Sequence, residues 1–379
     1  MKYGILNRHK IRALWEACGH DADVMASTID ERLNLKEDDS KALTPDNFSF
    51  REIAEGLGGD TSPGSGQPIF QEAVTAAQFS TIVGTLLSKK VMDAYNGVTK
   101  ILDQLVTSFT STQETDTVPG GYISGDLKPV GEGAEYPHTA DISEKYVQIG
   151  HGKRGLILDV TDEAVRFDRT GIIMREAGKL GERMARDRES RGLKVIQDLT
   201  GYKGWKPSGT ADDLYQNAQG AGDAHAYDNY VTDVLSDYTD VEALWLLLKL
   251  MKDDIGEPMA VDPKILLVPV TLDITATRII RNNVLPGGTN NEMNPISNRF
   301  AVLSSPYLDD NSTTAWYLGD FKQQFVEKVV IPPQVMSRRY GDNNEDAWRR
   351  DVVASYKVRH DTLIGAVDYR FVGMSAGTG

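Results

Sequence analysis

The sequence predicts an α+β protein in which a long glycine-rich excursion feeds one long helix, followed by a second region of alternating strands and helices. Three observations carry this. Between Val118 and Gly155, eight glycines interrupt a polar stretch that has too few apolar residues for a core of its own. Apolar residues then recur at helical spacing from Ile173 through Ala177, Leu180 and Met184 to Val195 and Leu199, which predicts about 28 residues or roughly 42 Å of helix. Beyond Val241, apolar helical faces alternate with short runs such as Lys264–Pro269 that read as buried strands.

The excursion opens at the Pro119-Gly120-Gly121 turn and passes through Gly131-Glu132-Gly133-Ala134-Glu135-Tyr136-Pro137. It returns as an alternating strand, with Val147, Ile149 and His151 on one face. The run Leu156, Leu158, Val160 leads to Thr161-Asp162-Glu163. There Thr161 suits a helix N-cap, and the two acids suit the positive end of the dipole.

Upstream, Ile11, Leu14 and Trp15, then Val24, Met25, Ile29 and Leu33, mark amphipathic helices, with a solvated break at Glu37–Ser40. Ser49-Phe50-Arg51-Glu52 reads as a capping box, with Phe48 and Ile53 placed as its hydrophobic staple. That helix is expected to stop at Gly56 to Gly59, where a Gly/Pro/Ser linker to Pro68 begins. Val74, Ala77, Ile82, Leu86 and Val91 predict a further helix. Each helix before the linker has an apolar face, so this region is expected to pack between subunits, and its deletion is expected to leave the rest folded.

Downstream, Gly201–Asp228 reads as loop. Val241, Leu244, Trp245, Leu248 and Met251 line a helix expected to end near Gly256, and Leu272, Ala276, Ile279 and Ile280 line another. The C-terminal part alternates like antiparallel strands at Phe325–Ile331, Val352–Arg359 and Thr362–Val372, with Asp361-Thr362 as a turn between the last two.

At 379 residues the chain exceeds one ordinary domain. No apolar run approaches the ~20 residues that span a bilayer, and the N-terminus lacks a signal peptide's apolar core, so a cytosolic site of synthesis and no membrane partner are expected. One cysteine, Cys18, excludes an internal disulfide and a cysteine-based zinc site. The net charge of −14 argues against a dedicated nucleic-acid reader, whose affinity comes from Lys and Arg.

The sequence offers no recognisable catalytic, cofactor-binding or metal-binding residues. Gly150-His151-Gly152-Lys153-Arg154-Gly155 has the spacing of a dinucleotide fingerprint, but a strand follows it where the motif needs a helix. His138 and His151 share one loop without a ligand pair, and Asp309-Asp310-Asn311 reads as a turn before a cation site. Arg183, Arg186, Arg188 and Arg191 are interleaved with Glu182, Asp187 and Glu189, which favours a salt-bridged, solvated or subunit-facing helix over a DNA contact.

The order of these features resembles the major capsid protein of tailed bacteriophages, the Hong Kong 97-type shell fold. The residues that carry the resemblance are Gly131-Glu132-Gly133, Leu158-Asp159-Val160-Thr161-Asp162-Glu163-Ala164, the arginine-rich helix, Ile265–Leu272, Asn294-Pro295, Phe300–Leu303, Ser305–Leu308 and Trp316–Phe321. The resemblance covers roughly Phe70 to Met374. The residues themselves give an N-terminal helical region at 1–60, which the family does not share uniformly; beyond it the resemblance implies a linker and arm at 61–117 and an extended loop at 118–157. A peripheral domain with the spine helix follows at 158–234, an axial domain at 235–323, and return strands with a tail at 324–379.

The implied function is that of a structural, non-enzymatic subunit. It self-assembles into hexamers and pentamers of an icosahedral head enclosing double-stranded DNA. The implied partners are itself, decoration, scaffold or portal proteins, and weakly held DNA, with assembly in the host cytoplasm and residence in the virion. Some relatives weld subunits through a loop lysine; Lys128, Lys145 and Lys153 lie in the loop here, but no catalytic carboxylate can be placed, and no crosslink is expected. The loop is expected to order on a neighbour, with Lys128, Lys145, Lys153 and Arg154 as trypsin reporters. An encapsulin-like nanocompartment shell is the alternative within the fold, and a soluble α/β enzyme the alternative from another class.

Overall fold

The computed structural model of the chain describes residues 8–35, 49–59, 73–119, 123–124, 130, 132, 135, 141–142, 146–167, 169–199, 214–217, 227–253, 256–283, 293–338 and 349–378. Helices α1 (Arg8–Ala17), α2 (Ala22–Leu33), α3 (Phe50–Gly56) and α4 (Ala73–Gly97) come first. Helix α5 (Leu102–Leu105) and strands β1 (Thr107–Thr110), β2 (Asp116–Pro119), β3 (Ile123–Ser124), β4 (Asp141–Ile142), β5 (Tyr146–Ile149) and β6 (Lys153–Thr161) follow. Next are α6 (Asp162–Arg166), the long helix α7 (Thr170–Ile196), β7 (Tyr230–Val231), α8 (Tyr238–Lys249), β8 (Ile265–Pro269) and α9 (Asp273–Arg281). The chain ends with β9 (Ala301–Ser305), α10 (Pro306–Asp309), β10 (Trp316–Gly319), α11 (Phe321–Gln324), β11 (Phe325–Arg338), β12 (Val352–Ala366) and β13 (Val372–Ser375).

One sheet has the order β1-β11-β12-β6 and another the order β7-β13-β10-β8-β9. Strands β2 and β5 form an antiparallel pair, as do β3 and β4, so the predicted excursion is paired at both described levels. The chain divides into two units. Residues 1–99, 153–187 and 331–361 make the first, and residues 100–152, 188–330 and 362–379 the second.

In the first unit, α1 to α4, α6, the first part of α7, β6 and β12 share one core. Ile11, Met25, Ile29, Phe50 and Ile53 are buried with Phe79, Ile82, Val83 and Leu86 of α4. Thr161 caps α6 by accepting a hydrogen bond from the Ala164 N–H, and Ser49 caps α3 by accepting one from Glu52 N–H. The staple residue Phe48 and the breaks at Glu37–Ser40 and 60–68 lie outside the described residues. Close approach of α7 and α4 depends on Gly181: a Cβ there would come within 2.2 Å of the Val91 carbonyl oxygen. Among the described residues, a Cβ at Gly178 would meet only the Lys90 side chain, at 3.9 Å.

In the second unit, the five-stranded sheet packs against α8 and α9 through Val241, Leu244, Leu248, Leu266, Val268, Ala276, Ile280, Trp316 and Leu318. Asn229 is fully buried and ties this unit's connections together. Its amide nitrogen donates to the carbonyls of Leu214 and Tyr369, and its amide oxygen accepts from Gln216 N–H. Most of 201–228, read as loop, lies outside the described residues.

Several expectations need correction. Asp361-Thr362 is no turn, because β12 runs unbroken through it and both residues are buried. Asp361 pairs in register with Lys153, and the Thr362 carbonyl accepts from Arg191 Nη1 at 3.0 Å. Polar character there reflects tertiary partners. Helix α8 stops at Lys249, where Leu250 N–H closes back on Leu246 and Leu248; Gly256, at φ +89°, belongs to a separate tight turn with Asp253. Leu199 lies past the end of α7, and Val24, Leu156 and Leu199 are exposed. Strand β6 begins at Lys153, inside the range read as extended loop.

The apolar faces of α1 to α3 are not left for a neighbouring subunit but are buried within the chain. Burying a large apolar side chain is worth about 1.5–3 kcal/mol. Deleting the residues before Gly59 should therefore uncover Phe79, Ile82 and Leu86 and lower the unfolding midpoint of the first unit, read by calorimetry with dye binding. An unchanged midpoint would show that these helices add nothing to the fold.

Candidate functional site: the root of the extended loop

Strands β2 and β5 flank the residues read from the sequence as the extended loop, and this pair, the root, is held by Lys328 of β11, whose neighbour Glu327 is a second buried charge. Residues 325–331 of β11 read Phe-Val-Glu-Lys-Val-Val-Ile. Successive strand side chains point to opposite faces, so Glu327 and Lys328 act in different places. Both are buried, at 1% and 0% exposed.

Glu327 faces α7. Arg188 grips it with a two-pronged contact, Nε to Oε1 at 2.7 Å and Nη2 to Oε2 at 2.5 Å, while Nη1 reaches Asp103 Oδ1 at 2.6 Å. The Ser108 hydroxyl of β1 donates to Glu327 Oε2 at 2.8 Å. Burial works against the Arg188 charge, but hydrogen bonding to Glu327 and the charge of that carboxylate, then of Asp103, outweigh it and raise the guanidinium above its ordinary value. Arg188 is thus a buried strut. Of the expected salt-bridged, solvated or subunit-facing arginines, Arg186 pairs with Glu182 at the exposed surface, while Arg188 is salt-bridged but buried within the chain.

Lys328 faces the loop root. Its ammonium has three protons and three carbonyl acceptors, Gln113 at 2.8 Å, Glu114 at 3.1 Å and Ile149 at 3.3 Å. Asp116 Oδ2, at 2.8 Å, supplies the counter-charge. Contact with Lys328, then the Ser111 hydroxyl, holds the Asp116 carboxyl below its usual range. Val147 and Ile149 of β5 are buried beside Val367, with Val118, Val326 and Leu363 packed around them. The return strand of the loop is thus fixed to its own chain. Lys153 and Arg154 lie beyond this root, in β6, while Lys128 and Lys145 lie outside the described residues.

The other residues that drew attention have structural settings. Gly155 sits within β6, where a Cβ would come within 2.6 Å of the Val358 carbonyl oxygen, so a strand occupies the place a cofactor-binding helix would need. His151 is exposed, and His138 lies outside the described residues. Asp309 accepts hydrogen bonds from the N–H groups of Val270 and Thr271 and from the Thr271 hydroxyl, which is the turn reading with a partner. Among the described residues, no group of three or more His, Cys, Asp or Glu could hold a metal, and no helix is long and apolar enough to cross a membrane. A groove of about 590 Å³ between α4 and α7 mixes Lys90, Arg175 and Lys179 with Asp93 and Glu182.

Glu189, the neighbour of Arg188, is also buried, and its carboxylate accepts from Leu102 N–H at 3.2 and 3.3 Å. Burial raises its pKa from 4.5 to about 7, partly opposed by the Leu102 hydrogen bond. Because the folded value is the higher one, the group's contribution is full below 4.5 and is lost as pH rises to about 7. Glu189→Gln should flatten the fall in stability between those two pH values, measured by denaturant unfolding at each pH. An identical slope in the variant would remove Glu189 from the account.

A protein-family profile described as phage capsid protein matches residues 146–373. No curated protein matches the chain. Among solved structures it is similar to the virus-like particle from Pyrococcus furiosus, at 10% identity and TM-score 0.45 over 76% of this chain and 97% of that one. It is also similar to the capsid of the native GTA particle, at 12% identity and TM-score 0.49 over 75% and 92%. Mycobacterium phage Cain gives 14% identity and TM-score 0.42 over 76% and 89%. The weight rests on the profile, which takes in β5, β6, α7, both long return strands and the five-stranded sheet up to the start of β13. With well over half of its length matched, the chain belongs to the phage capsid protein family.

Proposed function

We propose that this chain is the major shell subunit of a tailed-phage head, assembling as hexamers and pentamers around double-stranded DNA. The observation that carries the reading is the family match from residue 146 to 373, which begins at the return strand of the extended loop. The role is geometric and structural. A root pinned by Lys328 lets the loop be presented from a fixed base, so that ordering it on a neighbour costs less conformational entropy than ordering a free hairpin. Decoration, scaffold or portal proteins are the expected further partners. With a net charge of −14, contact with packaged DNA is expected to be weak and non-specific.

Electron microscopy of the purified protein tests the reading, with uniform closed shells expected and a monodisperse monomer contradicting it. Limited trypsin digestion then tests the loop. Cleavage at Lys128 and Lys145 should be several-fold faster in free subunits than in shells. Equal rates in the two states would mean that the loop makes no contact with a neighbour.

A further inference from the structure

Strand β6 is the outer edge of its sheet, paired with β12 on one side and with no strand on the other among the described residues. Natural sheets shield such edges by keeping them short or by placing charges, a proline or a bulge in them; the charges of β6, Lys153, Arg154 and Asp159, flank its centre and leave Gly155 to Leu158 uncharged. At nine residues β6 is long, and it contains no proline. The irregularity in its ladder lies at the far end, between Val352 and Ala354 of β12. The opposite edge, β1, has only four residues. Leu156 and Ile157 point to opposite faces of β6 and are 50% and 61% exposed. An edge that is open on both faces at its apolar centre is a template for another strand.

We infer that the free edge of β6 joins two copies of this chain, their β6 strands running antiparallel about a twofold axis at Leu156. The inference rests on the shell reading for its second copy. The register follows from the sequence. A twofold axis that continues a sheet stands normal to it and keeps each face on the same side, so a residue opposes either its own copy or one two, four or six positions away. With Leu156 on the axis, Lys153 meets Asp159 of the second copy on the outer face, twice by symmetry. Ile157 falls opposite Gly155, which offers no side chain to collide with it, and Leu156 meets Leu156. Moving the axis to Ile157 sets Lys153 against Thr161 and Asp159 against Gly155, and the charge pair is lost. Moving it to Gly155 sets Lys153 against Ile157. Among registers that keep both charges inside β6, the Leu156 register alone pairs them. A single sheet-edge contact of this size is weak, but a shell repeats it many times, and repetition multiplies avidity.

Opposed Cα atoms of an antiparallel pair lie about 4.5–5.5 Å apart, within the span of about 4.4–6.8 Å that a disulfide bridges. The test is the full chain carrying Leu156→Cys, with Cys18→Ser to remove the native thiol. Mild oxidation should convert it to a dimer on a non-reducing denaturing gel, and reductant should reverse this. In the same background Lys153→Asp should cut the dimer yield several-fold, and Lys153→Asp with Asp159→Lys should restore it. Circular dichroism confirms that each variant is folded, and microscopy scores particles separately. Dimers with rescue support the contact whether or not closed shells form, although the absence of shells would overturn the shell reading. Monomers alone, with or without particles, overturn the contact. Dimers without rescue overturn its register.

Discussion

Two neighbouring buried charges, Glu327 and Lys328, organise the second unit. Each needs partners from elsewhere in the chain, because a buried charge stripped of its counterpart costs about 3–5 kcal/mol. Glu327 takes Arg188 from α7 and Ser108 from β1, and Lys328 takes three carbonyls and Asp116 from the loop root. Adjacent positions on a strand face opposite ways, so two residues tie the long helix to one side of β11 and the loop root to the other. A hydrophobic pair would fill the same volume without fixing direction. Hydrogen-bonded charges accept only a narrow range of geometries, which suits a base from which a reaching element must depart at a set angle.

The first unit is held by different means. Its helices bury apolar faces on one another, and its closest approach, α7 on α4, uses the missing side chain of Gly181. A glycine inside a helix costs about 0.5–1 kcal/mol relative to alanine, here exchanged for backbone contact at a distance no Cβ would permit. At Gly178 no such contact exists among the described residues, and nothing among them explains that glycine.

Periodicity made much of this fold legible. Helices α7 and α9 and strand β8 each have one apolar face or a short apolar run, and local pattern is enough to reveal them, whereas β10 was legible only through the family resemblance. Thr161 and Ser49 announced their helices because capping is a local event. What failed to show depends on distant partners. Asp361-Thr362 looks like a turn until Arg191 and β6 come to it through the fold. Arg188 looks like one more surface arginine until Glu327 arrives from 139 residues away. The loop-root clamp left one trace, an opposite-charge pair flanked by valines in a strand pattern, and alternation alone reads such a pair as solvated. The resemblance to the family was legible in the order of elements along the chain, which short motifs preserve even where their individual residues carry no chemistry; membership itself rests on the profile match.

Lys328 fixes the loop root through its ammonium. Lys328→Met keeps the aliphatic stem and removes the ammonium, leaving three carbonyls and Asp116 without their partner. Hydrogen exchange of the variant against the parent protein measures the effect directly. Amides of β2 and β5 should lose protection by an order of magnitude or more, while those of α4 in the first unit keep theirs. Equal protection at the root in both proteins would contradict the account.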